Sequence, residues 1–137
     1  MGNFTLSSYA GVGQANLKNL SVSQTARVGN RLEISGQGGW DPRTGVVIEE
    51  LGAQIDKAFE NVDLALRDAG GAGWSQVYRV RSYHLPLGKD AMDHMVRNFR
   101  HWMPNHQPLW TCVGISQLGE EGMQVEIEVA ALDEPKA

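Results

Sequence analysis

The stretch from Pro108 to Leu132 decides the fold. It reads Pro-Leu-Trp-Thr-Cys-Val-Gly-Ile-Ser-Gln-Leu, then Gly-Glu-Glu-Gly, then Met-Gln-Val-Glu-Ile-Glu-Val-Ala-Ala-Leu. Two β-rich runs flank a polar, glycine-containing turn, which predicts a hairpin or meander. In the first run Trp110 and Cys112 share a face. Apolar and polar residues alternate in the second run, so one face is apolar and the other carries Glu126 and Glu128. The acidic face is either solvated or lines a cleft, since isolated buried charge is costly.

The length and charge of the chain narrow its class. A chain of 137 residues is long enough to bury a core, and we expect a single domain over residues 1–137. The formal net charge is −4, and no long run of like charge occurs. Nucleic acid is therefore a poor partner for this chain, because binding to phosphates needs a basic surface.

Features that would indicate export or membrane insertion are missing from the sequence. The single cysteine, Cys112, excludes an internal disulfide and fits a reducing compartment. The first residues do not place an apolar segment after a basic one, and no apolar run approaches membrane-spanning length. We therefore expect a cytoplasmic protein without a membrane partner.

The N-terminal third contains two β predictions and a glycine-rich segment. Phe4–Tyr9 is predicted as a short strand or extended arm followed by a loop. Ser23–Val28 and Arg31–Ser35 are predicted as a hairpin, because Gly-Asn between them is a favoured two-residue turn. Gly36, Gly38 and Gly39 follow. Three glycines in four positions either let the backbone approach a ligand or neighbouring subunit closely, or form a β-bulge and loop.

Two helices are predicted from apolar residues that recur at helical spacing. The first covers Ile48 to Ala69 and ends at Gly70-Gly71. The second runs from about Asp90, a predicted N-cap, to Met103. Its apolar stripe is rich in methionine, which is more typical of a core than of a cofactor site.

Ser75–Leu85 is predicted as the strand between the two helices. Arg79 and Arg81 lie two apart on one face of it. They either bind an anion or pair with Glu126 and Glu128 across the sheet, and we favour pairing.

The predicted element order is β-β-β-α-β-α-β-β, which gives an α+β two-layer sandwich with two helices on one face of a mixed sheet. The other face would be half polar and uncovered. We place Trp110, Cys112 and the glycine-rich segment on that face. This arrangement predicts a homo-oligomer, in which other subunits cover the sheet.

Sequence motifs for metal or nucleophilic chemistry are absent. No HExxH, CxxC or Walker-type motif occurs, and His84, His94, His101 and His106 are scattered, so no metal site is predicted. Cys112 is interpreted as a structural thiol, because no adjacent feature supplies a base. The residues by themselves indicate a small-molecule cleft near Trp110, Cys112 and Glu126, without naming a reaction.

Four sequence features resemble the Rid family, formerly called YjgF, of reactive-intermediate deaminases. They are Ser23-Gln24 before Ala26-Arg27-Val28-Gly29-Asn30; Ile34-Ser35-Gly36-Gln37 with Asp41-Pro42-Arg43-Thr44-Gly45; Asn61 with Ala69-Gly70; and Val125-Glu126-Ile127-Glu128. The resemblance implies a chorismate-mutase-like fold. It also implies a homotrimer with ligand clefts between adjacent subunits.

The same resemblance implies a reaction and a set of site residues. Active family members hydrolyse enamines and imines to 2-oxo acids and ammonia, without a metal or organic cofactor. An arginine two residues before a cysteine binds the substrate carboxylate, and Trp110 stands in its place here, with Cys112 matching the cysteine. Val22 replaces a family tyrosine. Glu126 matches the glutamate that positions the attacking water.

These observations lead to one functional hypothesis and one alternative. The hypothesis is a Rid-like trimer whose cleft suits an apolar or aromatic imine or enamine, because an indole supplies a flat apolar wall and no cation. Glu126 would be catalytic, and Trp110, Cys112, Gly36, Val22 and Arg79 would bind substrate. The alternative is a non-catalytic trimer that binds a ligand or a protein. Ribonuclease activity is disfavoured by the acidic charge.

Overall fold

A computed structural model describes residues 3–135 as one six-stranded sheet with three α-helices. The strands stand in the order β1-β2-β3-β6-β4-β5. Their bounds are β1 Phe4–Ser7, β2 Thr25–Val28, β3 Arg31–Gly38, β4 Val77–His84, β5 Leu109–Gly114 and β6 Val125–Leu132. The helices are α1 Val12–Leu20, α2 Leu51–Asp68 and α3 Lys89–Trp102, with a short 3₁₀ helix at Gly73–Gln76. Within residues 3–135 no helix is both long and apolar enough to cross a bilayer.

The helices α2 and α3 cover one face of the sheet, as the apolar periodicity predicts. Phe59 of α2 and Phe99 of α3 meet edge to face, with ring centroids 5.7 Å apart. The core lies between these helices and the buried residues of the strands, which include Val80, Ile127 and Val129. The predicted α+β two-layer class with a mixed sheet is confirmed.

The ends of α2 follow from local chemistry. Glu50 caps the first turn by accepting hydrogen bonds from the backbone N–H of Gly52 and Ala53, at 3.0 and 2.6 Å. These bonds hold the pKa of the Glu50 carboxyl below its ordinary value. At the other end Gly70 has a φ of 94°, which a glycine adopts without strain.

Two local predictions differ from the structure. Residues 12–20 form α1 where a loop was predicted, because its apolar residues are too few and its glycines too close to show a periodic stripe. The N-cap of α3 is Gly88, which makes no side-chain capping bond, so the predicted N-cap at Asp90 is wrong. Asp90 lies in the first turn, where its charge still favours the positive end of the helix dipole.

The predicted pairing of the last two strands is also wrong. β5 pairs with β4 in parallel, and β6 lies between β3 and β4, antiparallel to both. The crossover through α3 explains the parallel pair, because the helix returns the chain to the end of the sheet at which β4 begins, and β5 then runs in the same direction as β4. The connection over residues 115–124 then carries the chain to the centre of the sheet. The hairpin of β2 and β3 is formed as predicted.

Candidate active site

Glu126 lies at the centre of the sheet, on the face that the helices leave uncovered. Val125 and Ile127, its neighbours along β6, are fully buried beneath the helices. Because side chains alternate along a strand, Glu126 points to the opposite face. Its partners in register are Gly38 of β3 and Tyr83 of β4. A central strand therefore holds the carboxylate on a rigid backbone.

A β-bulge makes the space for this carboxylate. The register of β3 against β6 shifts between Ile34 and Gln37. A Cβ atom on Gly36 would lie 1.8 Å from Glu126 Oε1, so no larger residue fits there without moving the glutamate. The predicted β-bulge is thus present, and Gly36 approaches Glu126 of this same chain. A close approach of the glycines to a ligand or a neighbouring subunit stays a prediction.

A buried network of hydrogen bonds holds the bulge in place. Gln37 accepts a bond from Tyr9 Oη at 2.7 Å and donates to Gln24 Oε1 at 2.7 Å. Asn61 of α2 donates to the carbonyl oxygens of Gly38 and Trp40, at 2.9 and 2.8 Å. These residues include several on which the resemblance rests. This network holds the backbone beside Glu126 rigidly, since buried polar groups need hydrogen-bond partners and rigidify the chain when they have them.

The environment of Glu126 favours its protonated form. Burial raises the pKa of the Glu126 carboxyl above its ordinary value, and the nearby charge of Glu128 adds to the shift. Its oxygens form no hydrogen bond within residues 3–135, yet they are not among the atoms there that are fully buried and unpartnered. They therefore reach solvent. Such a carboxyl can exchange a proton with a bound water or ligand.

The favoured ion pairs between β4 and β6 do not form. Arg81 stands opposite Glu128 and Arg79 opposite Ala130, but no ion pair within residues 3–135 joins either arginine to a glutamate. Glu128 instead accepts a hydrogen bond from Tyr83 Oη, and this bond raises the pKa of the tyrosine. Arg79, Arg81 and Glu128 line a shallow cavity of about 360 Å³ on this face.

Trp110 and Cys112 lie on the helix side of the sheet, so their predicted placement on the uncovered face is wrong. Trp110 is in register with the buried Val80, and its ring meets Phe99 of α3 edge to face at 4.9 Å. The Sγ atom of Cys112 lies 3.9 Å from Met92 Sδ, also on α3. Alternation along β5 shows that Trp110 and Cys112 share a face of the sheet. Only the pairing of β5 with β4 shows that this is the face covered by the helices.

Two further polar residues on the helix side were not predicted as part of a site. Trp110 Nε1 donates to Ser82 Oγ at 2.9 Å, and Ser82 Oγ lies 2.8 Å from His84 Nε2. Burial lowers the pKa of the His84 ring, and its Nδ1 is buried without a partner in residues 3–135. Ser82 and His84 alternate with Arg81 and Tyr83 along β4, so a helix-facing polar pair could have been recognised from that strand.

The predicted site residues thus divide into three groups. Glu126 and Gly36 are in direct proximity, whereas Arg79 lies farther along the same face. Trp110 and Cys112 are on the opposite face of the sheet. Val22 is 46% exposed, in the loop that joins α1 to β2. Within residues 3–135, no three His, Cys, Asp or Glu side chains lie together as metal ligands.

Substitution of Gly36 by alanine tests whether the position of Glu126 matters. The new methyl group would displace the glutamate, so we expect at least about a tenfold loss of any reaction in which Glu126 carries the proton. The unfolding free energy should fall by about 1–3 kcal/mol, as for an overpacked site. Gly119→Ala is the control, because a Cβ there meets nothing within 4 Å. Unchanged activity in Gly36→Ala would show that the glutamate needs no defined position.

The raised pKa of Glu126 predicts how stability depends on pH. The neutral Glu126 carboxyl fits its buried position, as the neutral glutamine of a Glu126→Gln variant does. The stability that this neutral form contributes is present in full below the ordinary glutamate pKa of 4.5. It is lost as pH rises through the higher folded-state pKa, because the folded protein then holds an unfavourably buried charge. Urea unfolding of both proteins at pH 4 and pH 7 measures the difference. We expect Glu126→Gln to gain stability relative to the parent at pH 7, and an equal difference at both pH values would contradict this.

The fold and site together define a class: a two-layer α+β domain that holds one carboxylate of raised pKa against a glycine bulge on an uncovered sheet. The chain belongs to the endoribonuclease L-PSP family, whose model matches residues 16–133. This confirms the Rid (YjgF) family that the sequence motifs predict.

Relatives and solved structures agree with this assignment. A RutC family protein of Aquifex aeolicus is 30% identical over 110 residues, which cover 80% of this chain and 86% of the relative. Protein YJGH superimposes with a TM-score of 0.82 at 24% identity, over 98% of this chain and 100% of the other. A YjgF/YER057c/UK114 family member from Mycobacterium tuberculosis gives 0.76 at 22%, over 94% and 98%. At these identities the two structures show a common fold.

Proposed function

We propose that this protein is a Rid-like trimer that hydrolyses an apolar or aromatic imine or enamine in clefts between its subunits. The observation that carries the proposal is Glu126. Its carboxyl has a raised pKa, reaches solvent and forms no ion pair with Arg79 or Arg81 in the described part of the chain. A purely structural glutamate on a strand would instead be expected to pair with the arginines beside it.

The proposed reaction needs one water and one group that moves protons. The water oxygen bonds to the imine carbon while Glu126, in its ionised form, accepts one proton from the water and passes it to the nitrogen, which gives a carbinolamine. Glu126 then takes the proton of the new hydroxyl and passes it to the nitrogen. The C–N bond breaks, ammonia leaves, and the hydroxyl oxygen becomes the oxygen of the carbonyl product. A carboxyl whose pKa lies nearer to neutrality is better suited to this exchange than an ordinary glutamate.

The arrangement of Glu126 and Trp110 supports a site made from two subunits. They lie on opposite faces of one sheet, so a single protomer cannot bring both to one small ligand. The uncovered face also exposes large apolar side chains near its edges, which a second copy would bury. They are Phe4, Leu6, Val28, Leu109 and Val113, which are 38–61% exposed.

The substrate preference follows from Trp110. This residue stands at the position that matches the carboxylate-binding arginine of the family, and it supplies an aromatic surface in its place. We therefore expect faster hydrolysis of imines with bulky apolar or aromatic groups than of small aliphatic ones.

The test measures ammonia release from imines that an amino-acid oxidase generates in situ, with leucine or phenylalanine beside alanine as the source. Acceleration above the spontaneous rate, greater for the bulky imines, would support the proposal. Size-exclusion chromatography with light scattering reports whether the protein is a trimer. No acceleration with any imine would overturn the catalytic proposal and favour a trimer that only binds a ligand or a protein.

A further inference from the structure

A groove with an aromatic wall runs between the C-terminal half of α3 and the start of β5. Its volume is about 230 Å³. Apolar side chains form most of its surface: Val96, Phe99, Met103, Pro108 and Trp110. Pockets for drug-sized ligands usually enclose about 300 Å³ or more. The volume therefore suits a compound with one ring or two fused rings.

The aromatic wall is held rigidly before any ligand arrives. Trp110 donates its indole N–H to Ser82 Oγ at 2.9 Å, and its ring stands at 78° to the ring of Phe99. Both contacts restrain the indole. A ligand ring that packs on it would meet a surface already ordered, so binding loses little side-chain entropy.

The charge of the groove is positive. Arg100 lines it, and this arginine forms no ion pair within residues 3–135, whereas Arg97 on the same helix contacts Asp56 at 3.0 Å. The groove lining in this part of the chain contains no Asp or Glu. His106, also in the lining, donates from Nε2 to the carbonyl oxygen of Val77 at 2.7 Å. An unpaired guanidinium at an apolar groove favours an anion, and a carboxylate matches its planar fork.

We propose that this groove binds a small aromatic carboxylate, with the ring against Trp110 and Phe99 and the carboxylate on Arg100. The inference rests on the proposed function in one respect, because both assign an apolar ligand group to Trp110. It adds a second element to that function: an arginine of α3, distant in sequence from Trp110, binds the carboxylate.

The experiment measures binding directly, by calorimetric titration of phenylacetate, phenylacetamide and acetate into the full-length protein. We expect phenylacetate to bind at least tenfold more tightly than either of the others, since the amide lacks the charge and acetate lacks the ring. Arg100→Gln should weaken phenylacetate about tenfold and leave the amide unchanged. Arg97→Gln, the same change on the same helix but outside the groove, should bind phenylacetate as the parent does.

The outcomes separate this inference from the proposed function. No binding of phenylacetate at millimolar concentration, equal binding of acid and amide, or equal losses in Arg100→Gln and Arg97→Gln would overturn the inference. Imine hydrolysis in a protein that fails this test leaves the proposed function standing without it. Binding that depends on Arg100, in a protein that hydrolyses no imine, supports the inference and removes the proposed function.

Discussion

Glu126→Gln is expected to reduce imine hydrolysis by about 10²–10⁴-fold, the usual contribution of a general acid–base group. Glutamine keeps the size of the side chain and its space beside Gly36, but it cannot take a proton from water. Steady-state ammonia release at saturating imine measures the effect. We expect the loss in kcat, because the proton moves during reaction rather than during binding.

Glu128→Gln is the matched control for this variant. It makes the same change on the same face, two residues farther along β6, where the side chain bonds to Tyr83. Loss of its charge lowers the pKa of Glu126, so we expect the acidic limb of the pH–rate profile to move to lower pH while the maximal rate changes little. Equal activity of Glu126→Gln and the parent protein would exclude Glu126 as the proton carrier.

Trp74→Ala is expected to cause the largest loss of stability, about 3–5 kcal/mol of unfolding free energy. Trp74 is 1% exposed, stacks on Phe59 with ring centroids 4.7 Å apart and donates its indole N–H to the carbonyl oxygen of Phe59 at 2.9 Å. Alanine would leave a large cavity between the sheet and α2. Urea unfolding at pH 7, followed by circular dichroism, measures the change in unfolding free energy.

Trp74→Phe separates packing from hydrogen bonding at this position. The smaller ring keeps the stack on Phe59 but lacks the N–H, so we expect a much smaller loss than for alanine. A loss below about 1 kcal/mol for Trp74→Ala would mean that the neighbouring side chains collapse into the space, and that this part of the core is not closely packed.

The fold could be predicted largely from local patterns. The apolar stripes of α2 and α3 and the Gly-Asn turn between β2 and β3 appear in the sequence because they depend on neighbours within a few residues. The short helix α1 could not be predicted this way. Its C-terminal end exposes Leu20 at 62%, and its start is set by contact with a distant loop, where Val12 N donates to the carbonyl oxygen of Pro42 at 2.8 Å.

The candidate site was predictable in part. Alternation in β6 places Glu126 and Glu128 together, and the glycine run indicates a bulge. That Gly36 lies directly against Glu126 follows from a register shift between two strands about 90 residues apart, which no local pattern encodes. Trp110 shares a face with Cys112 as predicted, but its burial against α3 depends on the parallel pairing of β5 with β4.

The sequence by itself determined the elements other than α1, their apolar faces, the family motifs and the residue types available for chemistry. These depend on side-chain spacing along the chain and on turn residues, which act locally. Only the tertiary structure decided the order of the strands and the face on which each candidate residue lies. The physical reason is that long-range pairing places β6 between β3 and β4. Together with the parallel pairing of β5 to β4, this position sets the carboxylate of Glu126 and the indole of Trp110 on opposite sides of one sheet.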